Sequence, residues 1–109
     1  MPKLDINEVV ADMAKAVRGQ VSTDWKEVKP VLVEFMRRNQ ARWDLLADLY
    51  LNGLLDQAAF ELRLKDEVRV LETQFHAVAV IKKVVAQNAA NAAIKVLEDA
   101  AKAVLKAAL

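Results

Sequence analysis

The sequence predicts an all-α fold: an antiparallel hairpin of two long helices, over about 24–52 and 57–86, with a short N-terminal helix over about 5–18 and an alanine-rich helical extension over about 87–108. Three observations predict it. Large apolar residues recur at steps of three and four along most of the chain, the period of one helix face. Only two glycines and two prolines occur in 109 residues, too few for the turns of a β fold. One stretch, residues 51–60, carries a helix stop followed at once by a helix start. The length suits one domain, and a hydrophobic content of 55% suffices for a core, although much of it is alanine, which buries little area per residue.

The first helix is expected to start at Asp5, where Glu8 three residues on completes a capping-box spacing and Leu4 and Val9 are placed as a hydrophobic staple. Ile6, Val9, Val10, Met13 and Val17 fall on one face, and Gly19 is expected to end the helix. Asp24 and Glu27 repeat the box spacing before the second helix. Its stripe is Trp25, Val28, Leu32, Phe35, Met36, Trp43, Leu46, Leu49 and Tyr50. Pro30 allows a start at the proline or an earlier start with a kink there; the phase of Trp25 and Val28 favours the earlier start.

At the joint, Asn52-Gly53 supplies residues that tolerate a left-handed cap, and Asp56 can accept the free N–H groups of a helix opening at Gln57. Gly53-Leu54-Leu55-Asp56, with Phe60 beyond, resembles the short helical hairpin of the bacterial domain family nicknamed "short C-terminal". Gln57-Ala58-Ala59 departs from the acidic run expected there. The resemblance covers only the joint and its flanks, and it implies a turn and no activity.

Phe60, Leu64, Val68, Leu71, Phe75, Val78, Ile81 and Val85 then continue a packed helical seam. After Ala86 the apolar stripe resumes as Ala90, Ala93, Leu97, Ala101, Val104 and Ala108, about one residue out of phase, which marks a kink or a change of packing partner. An unbroken helix over 57–109 would span roughly 80 Å, more than a compact chain of this size offers. The tail is therefore expected to bend back or to pack on something else, and its removal to leave a folded hairpin.

Charge and motifs exclude more than they assign. Sixteen basic residues nearly cancel fifteen acidic ones, so there is no general attraction for nucleic acid or an acidic membrane. Arg37, Arg38, Arg42 and Trp43 resemble a nucleic-acid patch, but hairpin geometry sets Arg42 near Asp66 and Glu67 and the other two near Glu72, with Glu34 also one turn from Arg38; structural ion pairs are the simpler reading. His76 follows Glu72 by four residues, without the further carboxylates a di-iron bundle needs. One serine, two threonines and no glycine-rich loop supply neither a hydrolytic triad nor a phosphate cradle. No cysteine is present, so neither a disulfide nor a thiolate metal site can form. No metal or cofactor is expected, and no catalytic residue stands out. The N-terminus lacks a secretory pattern, and the most apolar window, 77–97, contains Lys82, Lys83 and Lys95 at about 2.5–3.5 kcal/mol each in a bilayer centre. A cytoplasmic or particle-associated protein, not a transmembrane one, is expected.

The expected function is accordingly non-enzymatic: a helical assembly or structural protein that forms a homo-oligomer or docks on a helical protein partner, such as a phage or secretion particle component. Val70, Val80 and Val84 lie on a second side and would need a second set of neighbours. The candidate interaction residues are Asn88, Asn91, Ala93, Leu97, Ala101, Val104 and Ala108, where small side chains allow close approach and the amides either specify register or form a solvated strip. The alternative is an amphipathic lipid-surface protein, with Lys95, Lys102 and Lys106 opposite Leu97, Ala101 and Val104.

Overall fold

The computed structural model describes residues 3–78 and 80–108, and among these every regular element is helical. Helix α1 spans Ile6–Val21, a 3-10 turn covers Ser22–Asp24, α2 spans Trp25–Leu51, α3 spans Gln57–His76 and α4 spans Lys83–Ala108. Helical hydrogen bonding is continuous over 6–51, but the chain reverses at Ser22, where φ is +54°.

Each helix lies beside its chain neighbours, and α4 closes the ring by packing on α1, the most extensive contact between elements. Successive helices run in opposite senses. Gln40 near the middle of α2 donates to Asn7 at the start of α1, across the turn at 22–24. Trp43 bonds Glu67 and Tyr50 stacks on Phe60, so residues of α2 and α3 at one level have numbers that sum to 110. Lys102 late in α4 reaches Glu61 early in α3. The result is a four-helix bundle 43 Å long and 23 by 21 Å across. Its radius of gyration of 13.8 Å is close to the roughly 13 Å of a compact chain this size.

The caps explain where most helices begin. Asp5 accepts from the Glu8 N–H at 3.3 Å and Asp56 from the Ala59 N–H at 2.8 Å, each satisfying an amide that the first turn cannot. Asp24 makes no such side-chain bond, because the 3-10 turn leads directly into α2. The helix starts at Trp25 and passes through Pro30. Pro30 and Lys26 are both exposed, so the carbonyl deprived of its N–H partner faces water.

Gly19 does not end α1, which runs on to Val21. The left-handed residue that reverses the chain is Ser22, three positions later. At the other joint, Gly53 takes φ +77° and closes a Schellman motif: the Leu54 N–H donates to the Leu49 carbonyl at 2.8 Å and the Gly53 N–H to that of Tyr50 at 3.2 Å.

The second half differs from the sequence expectation. Helix α3 stops at His76 rather than near 86, and α4 starts at Lys83 rather than near 87. Between them the Ala77 N–H bonds the Gln74 carbonyl, Val78 that of Phe75, and Ile81 that of Val78, so single turns carry the reversal without glycine or proline. The change of phase in the apolar stripe is thus a change of partner located some residues earlier than expected.

With that break the tail returns along the bundle instead of extending beyond it. Ala86, Ala89, Ala90, Ala93, Ile94, Leu97 and Ala101 are all buried among Met13, Val17, Leu64, Leu71, Phe75 and the rest of one core. Alanine at these sites lets backbones approach closely, so small residues complete a core whose large members are Trp43, Phe60, Phe75 and Met13.

Two predictions follow from this packing. Gly19→Ala is expected to stabilise by about 0.5–1 kcal/mol, since the site is helical and an added Cβ meets nothing within 4 Å beyond its own helical turn, whereas Gly53→Ala should destabilise by about 1–2 kcal/mol through its positive φ. Thermal or urea melts read both, and a shift of the same sign for the two would contradict the assignment of the two backbones. Deleting residues 88–109 removes buried Ala89, Ala93, Ile94 and Leu97 from the contacts with α1 and α3, so the truncated chain should lose its cooperative melt. A sharp transition at near-native helix content would show that the first three helices stand alone.

Candidate interaction surface

Two grooves flank α3 on the bundle surface, and the only buried charged residue among those described sits beneath one of them. Glu67 is 6% exposed. Its Oε1 accepts from Trp43 Nε1 at 2.6 Å and from Arg42 Nη2 and Nε at 2.7 and 3.1 Å, while Oε2 accepts from Nη2 at 2.9 Å. A carboxylate with this many donors is compensated for its loss of water, and the pair is bidentate on the arginine side. Trp43 is fully buried beside Phe35, ring centres 5.7 Å apart, so its indole N–H has no other outlet.

Sequence geometry placed Arg42 between Asp66 and Glu67, and the structure selects Glu67. Arg37 and Arg38 do not reach Glu72. Both bond Glu34 on their own helix, at 2.7 and 3.3 Å. Glu34 is held below the ordinary carboxylate range, chiefly by the Arg37 hydrogen bond. Glu72 Oε1 is buried without a protein hydrogen-bond partner, and His76 is exposed in the last turn of α3.

Above Glu67 lies the α2–α3 groove, about 280 Å³, with Leu45, Leu46 and Leu49 along its α2 wall and Arg42, Arg63, Asp66 and Glu67 around it. Leu45 is 58% exposed, and Leu62 on the outer side of α3 is 62% exposed. Leu62, Asp66 and Val70 follow at steps of four and so form one outward stripe, with Val70 43% exposed. Among the described residues Arg63 forms no ion pair, and Asp66 has only Arg69 at 4.0 Å.

The α3–α4 groove is larger, about 420 Å³, with Leu64, Val68 and Ile94 between polar rims. On one rim a single ammonium bridges two carboxylates: Lys102 Nζ bonds Glu61 at 2.9 Å and Glu98 at 3.1 Å. These bonds, that to Glu61 first, raise the Lys102 ammonium above the ordinary lysine range, and the same contact lowers the Glu61 carboxyl. Asn91 lines this groove, and Lys65 and Lys95 border it.

The seven candidate residues of the C-terminal stripe are divided by the fold. Ala93, Leu97 and Ala101 are fully buried against the chain's own helices, and Val104 is half-buried against the core near Leu4 and Val9. Asn88, Asn91 and Ala108 are exposed. Leu45 and Leu62 were missed by sequence reasoning, whose second apolar side was drawn through Val70, Val80 and Val84 alone. Their signal was phase: each large leucine lies off the seam defined by Trp43, Leu46 and Tyr50 or by Phe60 and Leu64.

Among the described residues no group of three His, Cys, Asp or Glu side chains is placed to hold a metal ion, and no helix is long and apolar enough to cross a membrane. No family model, curated protein or solved structure matches the chain.

Glu67→Ala strands the buried Trp43 N–H and is expected to destabilise by about 2–3 kcal/mol, whereas Arg42→Ala, at a half-exposed guanidinium, should destabilise less. A double-mutant cycle between the two positions should give about 1–2 kcal/mol of coupling in chemical denaturation. Additive effects would remove the charge pair from the account of stability.

Proposed function

We propose that this chain is a non-enzymatic helical assembly protein whose antiparallel α2–α3 hairpin is the docking unit for a helical protein surface. The observation that carries the reading is the outward exposure of Leu45, on the α2 wall of the groove, and of Leu62, on the outer side of α3 one turn from groove-lining Asp66, in a chain whose core is already filled. Neither leucine helps to close the bundle, and exposed side chains of that size beside a groove suit helix-in-groove recognition. The flanking charges Arg63 and Asp66 would set orientation more than affinity.

The C-terminal stripe is a poorer docking surface, since Ala93, Leu97 and Ala101 are covered by the chain's own helices. Asn88, Asn91 and Ala108 remain exposed as a narrow margin of two amides and one methyl group. A lipid surface taken up by the same stripe would require α4 to leave the bundle and expose its share of the core.

Two measurements test the docking reading. Leu45→Lys together with Leu62→Lys should leave the melting transition within about 0.5 kcal/mol per site, because neither side chain is part of the core. A photo-crosslinking amino acid at position 45 or 62 of the full chain, expressed in cells, should give protein adducts that one at exposed Glu27 does not. Adducts no more frequent at 45 and 62 than at 27 would sink the docking reading, and lipid adducts would replace it with the membrane-surface one.

A further inference from the structure

We infer that the occupant of the α2–α3 face is a second copy of this chain, paired about a two-fold axis that runs along the bundle and sets α2 of each copy against α3 of the other. This rests on the docking reading above and adds the identity of the partner and the geometry of the pair.

The register supplies the first argument. Trp43 opposite Glu67 and Tyr50 opposite Phe60 give level pairs whose numbers sum to 110, so Leu62 lies level with Asp48, three residues along α2 from Leu45. That offset is about 4.5 Å along the axis, within the reach of a leucine side chain. A two-fold parallel to the bundle keeps every residue at its own level and exchanges the two helices. Leu45 of one copy then meets Leu62 of the other, twice, and four exposed leucines cover one another. An isologous contact demands that one face carry both halves of each interaction, and this face does.

Charge supplies the second. Asp66 lies level with Asp44, two residues or about 3 Å from Arg42. Arg42 uses Nε and Nη2 on Glu67, its side chain is still 51% exposed, and Nη1 makes no hydrogen bond among the described residues. In the exchanged arrangement Asp66 of the second copy approaches that free end, and the reciprocal contact forms on the other side. Asp66 is itself available, since its one ion-pair contact among the described residues, to Arg69, is at 4.0 Å. The arginine is already held in place by Glu67, so little side-chain entropy is lost when it receives a second carboxylate.

Area supplies the third. A broad side of 43 by 23 Å offers on the order of 1,000 Å², against the roughly 800 Å² per partner of a stable interface.

The native chain contains no cysteine, which allows a direct test. Full-length Leu45→Cys and Leu62→Cys chains are made separately, then oxidised with diamide either alone or mixed in equal amounts. A disulfide-linked dimer of twice 12.1 kDa is expected in the mixture at several times the yield of either chain alone, because position 45 meets position 62 and not its own equivalent. Asp66→Arg introduced into both chains should reduce that yield several-fold without changing the melt. Sedimentation of the wild-type chain should show a monomer–dimer equilibrium that Leu45→Lys/Leu62→Lys abolishes.

Equal or greater linkage in a single-variant sample would overturn the exchanged geometry. A wild-type chain that sediments at 12.1 kDa at every concentration into the hundreds of micromolar, with no linkage in the mixture, would overturn self-pairing altogether. If that monomer still gave adducts to other proteins at positions 45 and 62 in cells, docking would survive with a different partner; without those adducts, both readings fall.

Discussion

The carboxylate of Glu67 constrains this bundle more than any other single group. A charge taken to 6% exposure is tolerable only if donors surround it, and those donors come from the neighbouring helix: the buried Trp43 indole and the Arg42 guanidinium. Three consequences follow from that requirement. It fixes the rotational setting of α2 against α3, because both Trp43 and Arg42 must reach one carboxylate. It fixes their register, which the stacked Tyr50 and Phe60 rings then carry toward the joint with centres 4.3 Å apart. It also anchors Arg42 in the groove that exposed Leu45 lines. An all-apolar contact would allow neighbouring registers at small cost, whereas a displaced Glu67 would be buried without its donors.

Around that fixed pair the other two helices fit by size. Helix α4 presents Ala86, Ala89, Ala90, Ala93 and Ala101 inward, interrupted by Ile94 and Leu97, and opposes them to Val9, Met13 and Val17 of α1 and Leu64, Leu71 and Phe75 of α3. Small residues on one helix and larger ones on its neighbours give close interhelical spacing at native density. The alanines contribute little transfer energy individually. Their effect is to let the large side chains of the other three helices reach a common centre, so that removal of α4 would uncover the core rather than trim an appendage.

Local chemistry made the first half of the fold readable. The caps at Asp5 and Asp56 and the left-handed turn at Gly53 each have a residue type suited to the task, and the early start of α2 followed from the phase of Trp25 and Val28 despite Pro30. Where the chain spends the wrong residue type, the reading failed. The reversal after α1 uses Ser22 at positive φ while nearby Gly19 stays helical, so a glycine marked the wrong place. The reversal after α3 uses Ala77 and Val78, neither of them a helix breaker, and the apolar spacing runs across it because Val78, Ile81 and Val85 are half-buried on the far side. From that one missed turn came the overlong helix, the displaced α4 boundary and the reading of the tail as an extension that the hairpin could lose and still fold.

The surface was the least legible part, for a physical reason. Periodicity reports the majority face of a helix, and an interaction face made of a few leucines is a minority signal against it. Leu45 and Leu62 become conspicuous only when the core has been assigned and they remain outside it. Their setting then distinguishes them from scattered surface apolar residues such as Val33. Leu45 lines a groove whose floor is held by the Arg42–Glu67 pair, so the apolar wall and the charge beside it are presented in a fixed relation before any partner arrives. The same buried carboxylate that sets α2 against α3 therefore also makes their shared outer surface a defined shape. In the proposed docking, a surface of defined shape with apolar residues at matched levels on both of its helices would discriminate between partners by register as well as by hydrophobicity.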